Sequence, residues 1–551
     1  MRPCHRCRPF CTVHRCLRLP LTLVLIAGIW GQARGDNTPT AGGVAAPERS
    51  ASEREPYQPP AYLQKPPPMP PSLASRQPLR LALRDAILTA LRQNLQLSLA
   101  RERVRSVVLS RSVALARFEP VLTASFSRST SQSPPLTAQE GTVGQVLLAT
   151  NYLWNLGLTE RLPTGGQISL GFNNSRSDST LGTAVAPLLY RSSLSLSVAQ
   201  PLLRDFSFDG RVQWAPVMQA EFDSESERET ARLRAMLTVR ATEDAYWSLV
   251  GSWRSYEVYV GAHKLAERQL ELTRRQIAAG VLPDSDLINV EGTLAQRQLA
   301  LLRAEAQIEV AADALRGMLN QPFSDWQHPL LPVDTPAFVH VDLSMDQAFD
   351  RALSARPELK QARIQQRKIV LELELARNRR LPQLTLQGDI GTVGQDADYR
   401  SALGQVGERS GWQWRVGADL SWSPLGVEAR ANIRRIESAL RQVGLSREVS
   451  LQEVRAQLRM ALRNIDTAER RLYAAAKARD LAERSLDVEQ RRFLNGLSSN
   501  FYVAQRQTDL AQARQDELEA LLQHEKARAE LQLAMGDLLE SRQLRFDIRQ
   551  P

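Results

Sequence analysis

Leu265-Ala-Glu-Arg-Gln-Leu-Glu-Leu-Thr-Arg-Arg-Gln-Ile-Ala-Ala-Gly280 returns 216 residues later as Leu481-Ala-Glu-Arg-Ser-Leu-Asp-Val-Glu-Gln-Arg-Arg-Phe-Leu-Asn-Gly496. Leu, Ala, Glu and Arg open both copies, Leu270 matches Leu486, Ile277 matches Phe493, and a glycine closes each. Leu270 to Ile277 and Leu486 to Phe493 are heptad steps, the spacing that coiled-coil packing requires. No proline lies between Pro216 and Pro283, or between Pro424 and Pro551, so each copy sits in a helix of unusual length. At about 1.5 Å per residue, the first reaches roughly 95 Å. Both helices break at the same place, Gly280-Val-Leu-Pro-Asp-Ser-Asp286 and Gly496-Leu-Ser-Ser-Asn500, and a new helix follows each. Two long helical hairpins result. A hairpin this long is too thin to hold a core alone and must pack on copies of itself.

The duplication extends upstream. Leu81-Ala-Leu-Arg-Asp-Ala-Ile-Leu-Thr-Ala90 leads through Leu97 and Ala100 to Pro120-Val-Leu-Thr123. At a constant offset of 262, Met345, Ala348, Ala352, Leu359, Ala362 and Pro382-Gln-Leu-Thr385 recur. Each copy reads as a helix that stops before a proline and gives way to strand. The two offsets differ by 46, so the first copy holds about that many additional residues between its landmarks.

Beyond each proline the pattern has period two, the mark of strands with one apolar and one polar face. Leu122, Ala124 and Phe126 alternate with Thr123, Ser125 and Ser127; Tyr152, Trp154, Leu156 and Leu158 form a second run. Ile168, Leu170 and Phe172 form a third, and Leu194, Leu196 and Val198 a fourth. In copy two, Leu384 and Leu386 start one run, and Trp412, Trp414, Val416, Ala418, Leu420 and Trp422 make another. The opposite faces carry Ser, Asn, Gln and Gly with isolated charges such as Arg415 and Asp419, as a watery lumen tolerates. Long polar connections from Arg128 to Thr150 and from Asn174 to Pro187 flank a tight Leu162-Pro-Thr-Gly-Gly166 turn. Short turns on one side and long loops on the other fit a membrane β-barrel. Six strand-like runs predict six strands per chain, hence 18 in a trimer; the alternative is an extended hairpin outside a 12-stranded barrel. The fold class expected is mainly α with a β-barrel.

The N-terminus sets the compartment. Met1 to Arg18 carries five arginines and no acid, the apolar Leu19–Gly31 run follows, and Ala33 and Gly35 offer small-residue cleavage sites: a secretory signal peptide over 1–35. All four cysteines and six arginines lie in that segment, so the formal charge of +10 becomes +4 in the mature chain. The basic balance therefore does not argue for nucleic acid, and Cys4 and Cys7 read as part of the leader rather than as zinc ligands. Residues 36–78 hold eleven prolines and read as an extended, disordered arm. At 43% hydrophobic and 6% aromatic, the 551-residue chain has enough apolar content for a core, which excludes wholesale disorder. With one short apolar run it is not a polytopic helical membrane protein.

These features together resemble the outer-membrane efflux proteins, the TolC-like channels. The points of contact are the duplicated helix-to-strand passages (Ala86, Ala90, Pro120; Ala348, Ala352, Pro382) and the strand exits Ser197-Val-Ala-Gln-Pro-Leu-Leu-Arg204 and Ser421-Trp-Ser-Pro424. Ala245-Tyr-Trp-Ser-Leu249 and the tips at Gly280 and Gly496 complete them. On this reading residues 79–330 are a first efflux repeat and 331–540 a second, with a C-terminal tail at 541–551.

The resemblance implies a homotrimer in the outer membrane of a Gram-negative bacterium. One barrel and one periplasmic helical tunnel would be shared by three subunits. It also implies docking on a periplasmic adaptor and an inner-membrane transporter, as in tripartite efflux or type I secretion. Gly280, Val281, Leu282, Gly496, Leu497 and Ser498 become the tips that meet the adaptor. Asp286 becomes the aperture residue, while Tyr502 and Gln505 occupy positions where the family often has carboxylates, a departure from an acidic ring. The mature histidines (His263, His328, His340, His524) are scattered and read as surface residues. No phosphate loop, HExxH or cysteine nucleophile is present, so neither enzyme nor cofactor nor metal is expected. A non-conducting structural or adhesive envelope protein is the competing reading.

Overall fold

The computed structural model describes residues 57–544, apart from 58, 61–62, 64, 75, 135–145, 180–187 and 208–209. The signal segment and the first part of the Pro-rich arm lie outside the described residues. In the first half of the chain, β1 (Leu79–Leu81) leads to α1 (Leu83–Gln93) and α2 (Leu95–Leu115). β2 (Val121–Ser133), β3 (Leu147–Arg161), β4 (Gln167–Ser179) and β5 (Leu188–Pro201) follow, then the long α3 (Arg211–Ala278) and α4 (Ser285–Leu319). The second half repeats the plan with β6 (Leu330–Pro332), α5 (Met345–Ala355), α6 (Pro357–Arg379) and β7 (Gln383–Asp396). α7 (Tyr399–Glu408), β8 (Trp412–Ser421), α8 (Val427–Leu494), α9 (Asn500–Met535) and the short α10 (Leu538–Ser541) end it.

The long helices α3 and α8 are each 68 residues, about 100 Å of helix. α3 takes in Pro216 in its second turn rather than starting after it. Gly210, in the left-handed region at φ 71°, starts that helix. The helices expected before Pro120 and Pro382 are each split in two. Asn94 and Arg356, equivalent in the repeat, both turn extended (ψ 125°). The causes differ. Asn94 caps α2, its side chain accepting from the backbone N–H of Gln96 and Leu97, and its amide donates to the Met318 carbonyl. Arg356 is pushed out of the helical region by Pro357, which starts α6.

Tyr246, Trp247, Trp253 and Leu249 of α3 build the main core with Ala86 and Ala90 of α1 and Ile308, Leu315 and Leu319 of α4. The parallel pair β1–β6 lies beside it, and the Trp253 indole donates to the Leu330 carbonyl at 3.0 Å. The described part of the Pro-rich arm is not free, a correction to the disorder expected there. Leu63 is buried against Leu472, Leu518 and Leu521, while Leu73 and Met69 join the main core. Arg254 donates to the carbonyls of Lys65 and Leu63 at 2.6 and 2.8 Å, and Tyr57 donates to Glu517 at 2.9 Å. Prolines pre-set an extended backbone, so little entropy is lost when widely spaced apolar residues dock it. The C-terminal tail is also tied down at its start, where Arg542 makes two hydrogen bonds to buried Glu243, 2.7 and 2.9 Å.

Six strands form one antiparallel sheet in the order β2-β3-β4-β5-β7-β8. The first copy's extra residues are therefore an additional hairpin within the sheet. Five of the six strands run 13 to 15 residues, beyond the roughly 9–11 that cross a membrane, and β8 has 10. β2 and β3 stay paired out to Ser133–Leu147, and β4 and β5 out to Asp178–Leu188, inside segments expected to be loops. Ladder bonds do not need an apolar face. Cross-strand Thr130–Thr150 (3.2 Å) and Arg176 over the rings of Tyr152 and Tyr190 hold the overhang. α7 lies on this outer end, its Tyr399 packed against Trp154 and Tyr190.

Candidate functional site

The tips are built by one local device used twice. Gly280 (φ 74°) and Gly496 (φ 73°) take the left-handed conformation that a side chain disfavours. Val281 N–H bonds the Gln276 carbonyl and Gly280 N–H that of Ile277; Leu497 and Gly496 do the same to Arg492 and Phe493. This is the Schellman end of a helix, and it turns the chain back at the same register in both repeats. Val281 and Leu497 in the turns are 68% and 70% exposed, and Ile288, Phe501 and Tyr502 in the helices that follow are exposed too. Leu282 instead packs inward, against the cluster of Leu486, Phe493, Val503 and Leu510. The heptad steps Leu486–Phe493 and Val503–Leu510 thus face each other across the second hairpin. Ser498 donates to Glu489.

Asp286 meets the second repeat. The Asn500 amide donates to Asp286 at 3.3 Å, and its carbonyl oxygen accepts from Gln269 (2.7 Å) and from the Thr273 hydroxyl (3.1 Å). Gln269, Thr273 and Asn500 are buried, Thr273 completely. One carboxamide therefore ties α3, the start of α4 and the start of α9 together at the tip. In dry surroundings such a network is favourable only while every member is paired. Gln269 and Thr273 were not singled out from sequence. The available signal was a polar pair one turn apart beside the apolar heptad positions Leu270 and Ile277.

Tyr502 and Gln505 stay exposed on α9, Tyr502 edge-on to Phe501 and Gln505 donating to Asp509 at 3.0 Å. Asp509 is also paired with Arg506 at 3.0 Å, so this turn carries a compensated charge.

At the opposite end, direct cross-strand pairs sort the sheet into two faces. Leu122–Leu158, Leu170–Leu158, Leu196–Leu170, Leu196–Ile390 and Ile390–Trp414 run across one face. Ser125–Asn155, Asn173–Asn155, Ser197–Ser169, Ser197–Asp389 and Asp389–Arg415 run across the other. Arg415 thus stands opposite Asp389, and Asp419 opposite Thr385, both on the polar face. β2 and β8 each have one neighbour among the described residues.

His524 corrects the surface assignment. It is fully buried against Phe338, with both ring nitrogens unpartnered among the described residues. Burial first, then Arg528 and His340, push its pKa down to about 4. Among the described residues no cluster of three or more metal-ligating side chains occurs, and no helix is long and apolar enough to cross a membrane.

The sequence matches the family described as outer membrane efflux protein over residues 159–321 and 348–537. Comparison with curated proteins finds no match. Among solved structures, a membrane protein from Pseudomonas aeruginosa is similar at 18% identity and TM-score 0.62, covering 82% of this chain and 90% of that one. The CmeC outer membrane channel of Campylobacter jejuni gives 14% identity and TM-score 0.60, covering 83% and 86%. The outer membrane protein VceC of Vibrio cholerae gives 15% and 0.59, covering 82% and 96%. At these identities the three similarities speak for a shared fold.

Proposed function

The chain belongs to the outer membrane efflux protein family, and from that premise we propose that it is the passive outer-membrane conduit of a tripartite efflux or secretion system. The observation that carries this reading is the sheet. Its six strands alternate in direction, its faces divide into apolar and polar, and among the described residues neither edge strand has an outer neighbour. β2 of one copy would run antiparallel to β8 of the next, so three copies close an 18-stranded barrel without a direction conflict. Lipid would meet Leu, Ile, Phe and Trp, and water would meet Ser, Asn and Gly together with Arg415 and Asp419. The helices α3, α4, α8 and α9 would extend the wall about 100 Å into the periplasm.

The tips supply the docking end. Val281, Leu497, Phe501 and Tyr502 present an exposed apolar rim suited to a periplasmic adaptor, and the energy for transport would come from an inner-membrane pump. The network of buried Gln269, Thr273 and Asn500 with half-buried Asp286 holds the two hairpins together until a partner separates them. The test is planar-bilayer conductance of the protein purified from outer membranes, with oligomeric mass recorded alongside. Discrete channels from a trimer are expected. A monomer that never inserts would refute the conduit and favour a structural envelope protein.

A further inference from the structure

We infer that the cavity where the sheet meets the helices is an oxyanion-binding site on the conduction path, taking a small solute that carries phosphate or carboxylate groups. It rests on the reading of the polar sheet face as the lumen. The cavity holds about 600 Å³ and is walled by the β3–β4 turn and by α3, α6 and α8. That volume suits a small-molecule ligand. Four guanidinium side chains line it, Arg117, Arg161, Arg379 and Arg435, against two carboxylates, Asp205 and Glu372.

Among the described residues none of the four arginines is in an ion pair. Arg117 spends its donors on the backbone carbonyl and side-chain oxygen of Gln213 (3.1 and 3.2 Å), and Arg435 on Asn432 (2.9 Å). Asp205 faces Arg204, outside the cavity lining, at 3.7 Å. Burial lowers the pKa of Arg117, and like-charge repulsion from the nearby Arg161 lowers it further. A guanidinium fork matches phosphate and carboxylate oxygens two at a time, so a bound oxyanion relieves this repulsion.

The position is fixed by the inserted hairpin. Arg161 and Gln167 form the last cross-strand pair on the polar face, continuing Thr159–Ser169. Their turn is seated tightly: a Cβ on Gly165 would overlap the Asp205 carbonyl, and one on Gly166 the Gln200 side chain. The additional strands thus carry a guanidinium over the helix ends. Basic side chains lining a conduction path favour anions over cations.

The experiment titrates inorganic pyrophosphate into the purified protein by calorimetry at low ionic strength. The wild type is compared with Arg161→Gln/Arg379→Gln, and with Arg379→Gln alone should the double variant misfold. Saturable binding is expected, weakened about tenfold for each arginine removed and weakened by salt. In bilayers under a KCl gradient, the wild-type reversal potential should lie toward chloride, and the variant's should move toward potassium. A channel that conducts but binds no pyrophosphate, with the same reversal potential in both forms, overturns the inference and leaves the conduit intact. Pyrophosphate binding with the same reversal potential in both forms overturns the site's place on the conduction path. Nanodiscs of phosphatidylglycerol against phosphatidylcholine separate the sources: pyrophosphate binding lost only with phosphatidylglycerol would assign the site to a lipid headgroup and overturn the solute.

Discussion

Replacing Asn500 by Ala tests whether the tip is held by one carboxamide. The side chain accepts from Gln269 and Thr273 and donates to Asp286. Gln269 and Thr273 are buried, so both donors lose their partner without gaining bulk water. A buried donor left unsatisfied costs about 1–3 kcal/mol. With water entering part of the vacated volume, the two together give about 2–4 kcal/mol against the docked tip. At 1.4 kcal/mol per tenfold, local opening rises about 30- to 700-fold.

Amide hydrogen exchange reads this directly and does not depend on conduction. The amides of residues 266–273 and 503–510 should exchange faster by that factor, while those around Tyr246 and Trp253 in the core keep their protection. Asn500→Asp keeps the acceptor but sets a carboxylate against Asp286, so it should open the tip at neutral pH and reclose it in acid. Exchange changed by less than about threefold in Asn500→Ala would refute the latch.

Other outcomes follow from single contacts. His524 has its folded pKa depressed to about 4 from 6.5, so the unfolded chain binds the proton first. That stability is complete above pH 6.5 and is lost progressively as pH falls toward 4, about 3 kcal/mol in all. Thermal melts across that range should show a steeper decline for the wild type than for His524→Leu. Arg542→Ala strands the buried Glu243 carboxylate and should cost about 3 kcal/mol, read as a lower melting temperature that Glu243→Gln/Arg542→Ala partly restores. Gly394→Ala places a Cβ on the Ala402 carbonyl, so α7 must lift. Trypsin should then cleave at Arg400 or Arg409 in folded protein, where the wild type resists.

Sequence alone determined what repeats and what alternates. Heptad spacing at Leu486–Phe493, the glycines at 280 and 496, and the period-two runs are local signals, because helix and strand geometry impose their periods residue by residue. The six strands and paired hairpins were legible for that reason. Tertiary structure decided whatever depends on distant partners. Asn94 and Arg356 break their helices for different reasons, and Asn94 does so partly through the Met318 carbonyl, more than two hundred residues away. The Pro-rich arm is ordered where Leu63 and Leu73 find the helical body, and His524 is buried by Phe338, neither of which composition registers. Gln269, Thr273 and Asn500 look like ordinary polar residues until folding puts one carboxamide within hydrogen-bonding distance of the other two. The arginines at the junction come from two helix-to-strand passages (Arg117 and Arg379), the first turns of α8 (Arg435) and an inserted hairpin (Arg161), and only the packing of sheet on helices gathers them around one cavity.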